Sequence, residues 1–127
     1  MFSRLRAIRP WIGSLRAYRF GDYQSALSLV ETSFRLDGYP SNYQLAFFGT
    51  LLVLNHRSSE AKRAFEQARS APLGRSAHAE YVKAYVDYYL ELIGRGTGAE
   101  RLWDLAHSLP QTRFSSTYLS LPPVPNP

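Results

Sequence analysis

The chain contains no cysteine, which excludes disulfides, thiol catalysis and cysteine-ligated metals. That fits a reducing compartment, and a cytoplasmic location is the expectation. Acidic residues are missing from the start. Arg4, Arg6, Arg9, Arg16 and Arg19 all precede the first acid, Asp22, and from there ten basic residues balance ten acidic ones. The whole net charge of +5 therefore belongs to the N-terminal stretch. Long apolar runs are missing too. The longest charge-free stretch, Gly38 to His56, includes Pro40, Asn42 and Gln44. Its apolar part, Leu45 to Leu54, is too short to span a bilayer. No apolar run of signal-peptide length precedes Trp11-Ile12, so secretion is not expected.

The usual signatures of reaction chemistry are lacking as well. His56, His78 and His107 share no short spacing and no acidic partner motif. The glycine-rich Gly94-Arg95-Gly96-Thr97-Gly98 is not followed by the Lys-Ser/Thr of a phosphate-cradling loop. No two carboxylates stand out as a general acid and base. These absences argue against an enzyme and imply no metal and no cofactor.

What remains is a chain of 127 residues, 45% hydrophobic and 20% charged, suited to one soluble domain with a real core. Its apolar residues recur at helical spacing. Met1 to Arg9 reads as a basic lead-in, and Pro10 suits a first helical position, where its missing N–H costs nothing. Trp11, Leu15 and Tyr18 line the first helix. Gly21-Asp22 stops it and caps the second, which carries Tyr23, Ala26, Leu27, Val30 and Phe34. Gly38-Tyr39-Pro40 ends that helix. Ser41 or Asn42 caps the third, which runs to about Leu54. Ser58 or Ser59 caps the fourth, with Ala61, Ala64, Phe65 and Ala68, and Pro72 and Gly74 form the break. Ser76 opens the fifth helix. The sixth carries Ala99, Leu102, Trp103 and Ala106 and stops at Pro110. The result is an all-α domain of six helices, with consecutive helices expected to be antiparallel neighbours.

The even-numbered helices repeat one pattern. Ala61, Phe65, Ala68 and Pro72 match Ala99, Trp103, Ala106 and Pro110 at a step of 38 residues, and Ala26, Val30 and Ser33 form a weaker copy 35 residues before Ala61. The odd helices align as well, with Leu45, Phe48, Gly49 and Leu52 against Val82, Tyr85, Val86 and Tyr89. Small residues let two helices cross closely, and a single hairpin cannot cover its own apolar side, so the copies are expected to stack.

In these positions the chain resembles the tetratricopeptide repeat family. Leu45, Phe48, Gly49, Leu52, Ala61, Phe65, Ala68 and Pro72 follow that family's pattern best. Trp11 and Tyr18 match it in the first copy, where Gly21-Asp22-Tyr23 looks like the inter-helix turn. Leu15 and Val86 depart from the small residue usual there, and Ser33 stands in place of an Ala. The resemblance implies a six-helix right-handed superhelix over residues 1–110, with repeats at about 8–40, 42–75 and 79–110. A proline-rich tail, 111–127, would follow. Phe114, Tyr118, Leu119 and Leu121 would cap the last repeat, or the tail would itself be a ligand.

The resemblance also implies a role: a non-catalytic adaptor whose first helices line a concave groove for a partner peptide. The matching positions are Arg9, Ile12, Arg16 and Arg19 in the first copy, Tyr43, Ala46, Thr50 and Val53 in the second, and Glu80, Lys83, Asp87 and Glu91 in the third. Arginine forks pair well with carboxylates, so an acidic or C-terminal segment would seat at the basic end. The Lys- and Asn-based carboxylate clamp of some relatives is absent. The alternative is an RNA- or anionic-surface-binding protein using the N-terminal arginines, and uncapped repeat ends would allow a homo-oligomer. The tyrosines Tyr81, Tyr85, Tyr88 and Tyr89 read as core rather than as a base-stacking platform, because they share one broad apolar arc with Val82, Val86, Leu92 and Ile93.

Overall fold

The structure is a computed structural model, and it describes residues 2–36, 38, 40–71 and 77–108, with the side chains of 2–5, 77–81 and 108 left aside. The breaks expected at Pro72, Gly74 and Pro110, the helix start at Ser76 and the tail from 111 lie outside the described residues. Among those described, six helices and no strand are found: α1 (Phe2–Arg19), α2 (Tyr23–Leu36), α3 (Asn42–Leu54), α4 (Ser58–Ser70), α5 (Ala77–Gly94) and α6 (Ala99–Ser108). None of the helices is long and apolar enough to cross a membrane.

The first helix starts earlier than Pro10 suggested. α1 runs straight through the proline, which has no N–H to give the carbonyl of Arg6, a loss that costs on the order of 3 kcal/mol in a helix interior. Packing on α2 holds the turn. Ala7 and Trp11 are both buried, and Ser33 Oγ donates to the carbonyl of Ala7 at 2.9 Å. The serine that breaks the repeat pattern thus fastens the two helices beside the proline. Gly21, at φ +79°, ends α1, and Asp22 caps α2 by accepting the Ser25 N–H at 3.1 Å. Hydrogen bonding from the Ser25 side chain, with that from its N–H, holds the Asp22 carboxyl below its ordinary value.

α3 is the axis of the molecule. A capping box opens it, with Ser41 Oγ accepting from the Gln44 N–H and Gln44 Oε1 accepting from the Ser41 N–H. Beyond the cap, Leu45, Ala46, Phe47, Gly49 and all residues from Thr50 to Leu54 are buried, so the helix is apolar around its circumference. It pairs with α4 and touches α2, α5 and α6. Trp11 and Tyr18 of α1 meet Phe47 edge-on, with ring centroids 5.3 and 5.4 Å apart.

The two clearest hairpins are α1–α2 and α3–α4. In each, a glycine sits where a helix meets its partner. A Cβ on Gly49 would stand 2.8 Å from the Phe65 ring, and one on Gly13 would stand 3.2 Å from Leu29. In the first hairpin, then, the small residue at the crossing is Gly13, two residues before Leu15, the position suggested by the repeat. At the turn into α4, Arg57 rather than Ser58 or Ser59 precedes the helix. It makes a two-pronged pair with Glu60 (2.9 and 2.6 Å), while Ser58 is already helical.

The sixth helix departs from the expected pairing. α5 and α6 are joined by residues 95–98 yet share little surface among the described residues, and α6 lies on α3. Gly96 in the left-handed region (φ +80°) turns the chain away from α5. Trp103 Nε1 then donates to the carbonyl of Leu54 at 3.0 Å. Its indole stacks between His56, at 5.9 Å, and His107, at 4.5 Å, and His107 meets Tyr23 edge-on. Asn55 Nδ2 closes the same end by donating to the carbonyls of Tyr23 and Leu51.

Replacing Gly49 with Ala would press a methyl into Phe65, which is fully buried and cannot swing away. Overpacking of that kind should cost about 1–3 kcal/mol in urea unfolding. An unchanged midpoint would show that the crossing relaxes freely.

Candidate interaction site

The residues proposed to line a groove divide into three groups. Those of α3 are interior. Tyr43 and Val53 are buried, as is Ala46, and Thr50 is 0% exposed. The middle of the expected groove therefore has no open floor in this conformation. Tyrosines fill it. The phenol of Tyr85, on α5, lies 2.7 Å from Thr50 Oγ1, which in turn donates to the Ala46 carbonyl at 2.9 Å. With the threonine proton committed to that carbonyl, the phenol is the donor between the two hydroxyls. Tyr89 stacks on Phe65 and tilts against Tyr85, with centroids 5.1 and 5.0 Å away. Tyr18 of α1 is close enough to feel Tyr43 and Tyr89 electrostatically.

Burial is the main influence on these phenols. It pushes Tyr18, Tyr43, Tyr85 and Tyr89 above the ordinary tyrosine range, and neighbouring phenols push Tyr18 and Tyr85 further the same way. Tyr85 and Tyr89 are core residues, as their arc suggested. What the sequence did not signal is that hydroxyls from three helices would gather in one place.

The second group lies on α5. Lys83, Asp87 and Glu91 are exposed, and Glu91 is paired with Arg95 one turn on. Glu80 belongs to the same helix, its side chain outside the described residues. This stripe is mixed in charge and partly satisfied by its own neighbours.

The third group is α1. Arg9, Arg16 and Arg19 are exposed, and none of them is in an ion pair among the described residues. Beside them stand Ile8 (48% exposed), Ile12 (46%) and, just past the helix end, Phe20 (83%). These are the large apolar side chains left exposed among the described residues, and all three are on or next to this helix. Ile8 and Phe20 were not singled out from the sequence. Their signal was available in the helical spacing Ile8–Ile12 on a helix whose core side was already assigned to Trp11, Leu15 and Tyr18.

Elsewhere, Phe34, Leu45, Phe48, Pro40 and Gln67 line an open cleft of about 710 Å³ between α2, α3 and α4. Among the described residues no group of His, Asp or Glu is arranged to hold a metal ion. No family model, curated protein or solved structure matches the chain.

Two outcomes test the interior. Thr50→Val removes the acceptor of a fully buried phenol and should cost about 1–3 kcal/mol, most of which Tyr85→Phe in the same chain should restore. Strict additivity of the two substitutions would mean that the hydroxyls do not interact. The raised phenols also predict alkaline instability. In the unfolded chain they ionise near the ordinary value of about 10. The stability they contribute is therefore complete below that pH and is lost as pH rises toward their higher native values. Of the nine tyrosines, these four should develop tyrosinate absorbance only as helical circular dichroism disappears. Their ionisation with the helices intact would contradict the burial.

Proposed function

We propose that the chain is a non-catalytic adaptor that binds a segment of a partner protein, and that the outward face of α1 is its principal contact surface. One observation carries the reading. Arg9, Arg16 and Arg19 are exposed, with no ion pair among the described residues, on a helix with no acidic residue, and the exposed Ile8, Ile12 and Phe20 lie among them. A charged face that exists only for solubility would be polar throughout, and its arginines would commonly find carboxylates on the same helix.

The wider picture, three helical hairpins wound into a tetratricopeptide-like superhelix, is supported by the close pairing of α1 with α2 and of α3 with α4. The placement of α6 on α3 departs from it. With the α3 stripe interior, partner contact moves from a central groove to its basic edge. The mixed stripe of Lys83, Asp87 and Glu91 is a secondary contact at most. The rival reading, RNA binding through the same arginines, leaves the two isoleucines facing a phosphate backbone and is less well matched.

Arg9→Glu, Arg16→Glu and Arg19→Glu together should lower partner recovery in affinity capture by about tenfold or more, with the melting temperature little changed because all three are exposed. Recovery equal to that of the unaltered chain would sink the proposal. A steep loss of binding with salt, shared by unrelated nucleic acids, would favour the RNA reading.

A further inference from the structure

The α1 face sorts its residues in a way that describes its partner. At about 100° per residue, Ile8, Arg9, Ile12, Arg16, Arg19 and Phe20 fall within roughly a third of the helix circumference. Along the axis they cover about 18 Å, at 1.5 Å per residue. The two isoleucines stand one turn apart in the N-terminal half, and Arg16 and Arg19 stand one turn apart in the C-terminal half, with Phe20 beside them. Arg19 points between the directions of Ile8 and Ile12, so charge and apolar surface share one sector of the helix and follow one another along it. Among the described residues α1 pairs closely only with α2, and Ile8, Ile12 and Phe20 are exposed.

A shared sector discriminates among anionic partners. A nucleic-acid backbone offers phosphates but nothing to cover two isoleucines. A bilayer surface would cover the isoleucines and Phe20, yet it suits arginines that flank an apolar sector better than ones inside it. A protein segment supplies carboxylates and apolar side chains at the same pitch. The guanidinium fork prefers carboxylates in a two-pronged geometry. Arg16 and Arg19 lie in the last turn of α1, where the backbone carbonyls favour cations.

We infer that the α1 face binds an acidic amphipathic helix of a partner protein: three turns long, with an apolar pair over Ile8 and Ile12 and carboxylates over Arg16 and Arg19. This rests on the adaptor reading and adds the chemistry and shape of the partner segment.

The test uses the full chain and a synthetic helical peptide with two leucines one turn apart, followed by glutamates one turn apart. Controls are a scrambled peptide of the same composition, an RNA oligonucleotide and phosphatidylglycerol vesicles. The patterned peptide should bind about tenfold tighter than the scrambled one, the gain expected from covering two half-exposed isoleucines. Ile8→Ser with Ile12→Ser should erase that preference while leaving the salt dependence in place. Arg16→Gln with Arg19→Gln should weaken both peptides and flatten the salt dependence. Circular dichroism melts of each variant confirm that the fold is retained. Equal binding of the two peptides would overturn the inference, as would saturable binding to the vesicles or the RNA without binding to the patterned peptide. The two levels separate cleanly. If partner recovery falls on arginine reversal but ignores Ile8 and Ile12, the adaptor reading stands and the helical partner does not. If recovery ignores the arginines, the adaptor reading itself is lost.

Discussion

The fold depends on burying one helix on every side. α3 has no polar face to give to water, so it is stable only while α1, α2, α4, α5 and α6 surround it. The Thr50 hydroxyl, fully buried on that helix, is affordable because Tyr85 and the Ala46 carbonyl share it. The helix's one glycine is there because Phe65 occupies the space a side chain would need. Both residues looked like candidates for different roles when read along the chain, and both answer to the same demand for dense, fully bonded packing.

That demand explains which parts of the molecule could be read from the sequence. Helical periodicity, Gly21-Asp22 as stop and cap, the cap at Ser41 (one of the two positions read for it) and the core character of Tyr85 and Tyr89 are local or nearly local signals, and they were legible. The path of α1 through Pro10 was not. A proline announces a helix start by its own geometry, whereas its tolerance inside α1 depends on Ser33 and α2, which are remote in sequence. The position of α6 was hidden for the same reason. The repeat of Ala, aromatic and Ala places Trp103 on the packing side of its helix, but the choice of α3 over α5 is made by the Leu54 carbonyl and two histidine rings.

The candidate site was legible in its charge and not in its depth. Arg9, Arg16 and Arg19 are where the spacing put them, on one exposed stripe. Tyr43 and Thr50, carried over by resemblance, share the stripe's register but not its exposure, because burial is set by what packs opposite. Exposed isoleucines are the reverse case. On paper Ile8 and Ile12 are ordinary helix residues, and only the placement of α2 on the other side of α1 shows that no described residue covers them.

The docking of α6 on α3 also bears on how the chain can unfold and grow. In a linear stack each hairpin touches only its neighbours, so the ends fray independently and a further unit can be added. Here Trp103 reaches back 49 positions to Leu54, and His107 rests on Tyr23, at the start of the second helix. The last described helix therefore ties the first hairpin to the second across the end of the bundle. Those contacts couple the two hairpins, whose opening in a linear stack would be more nearly independent.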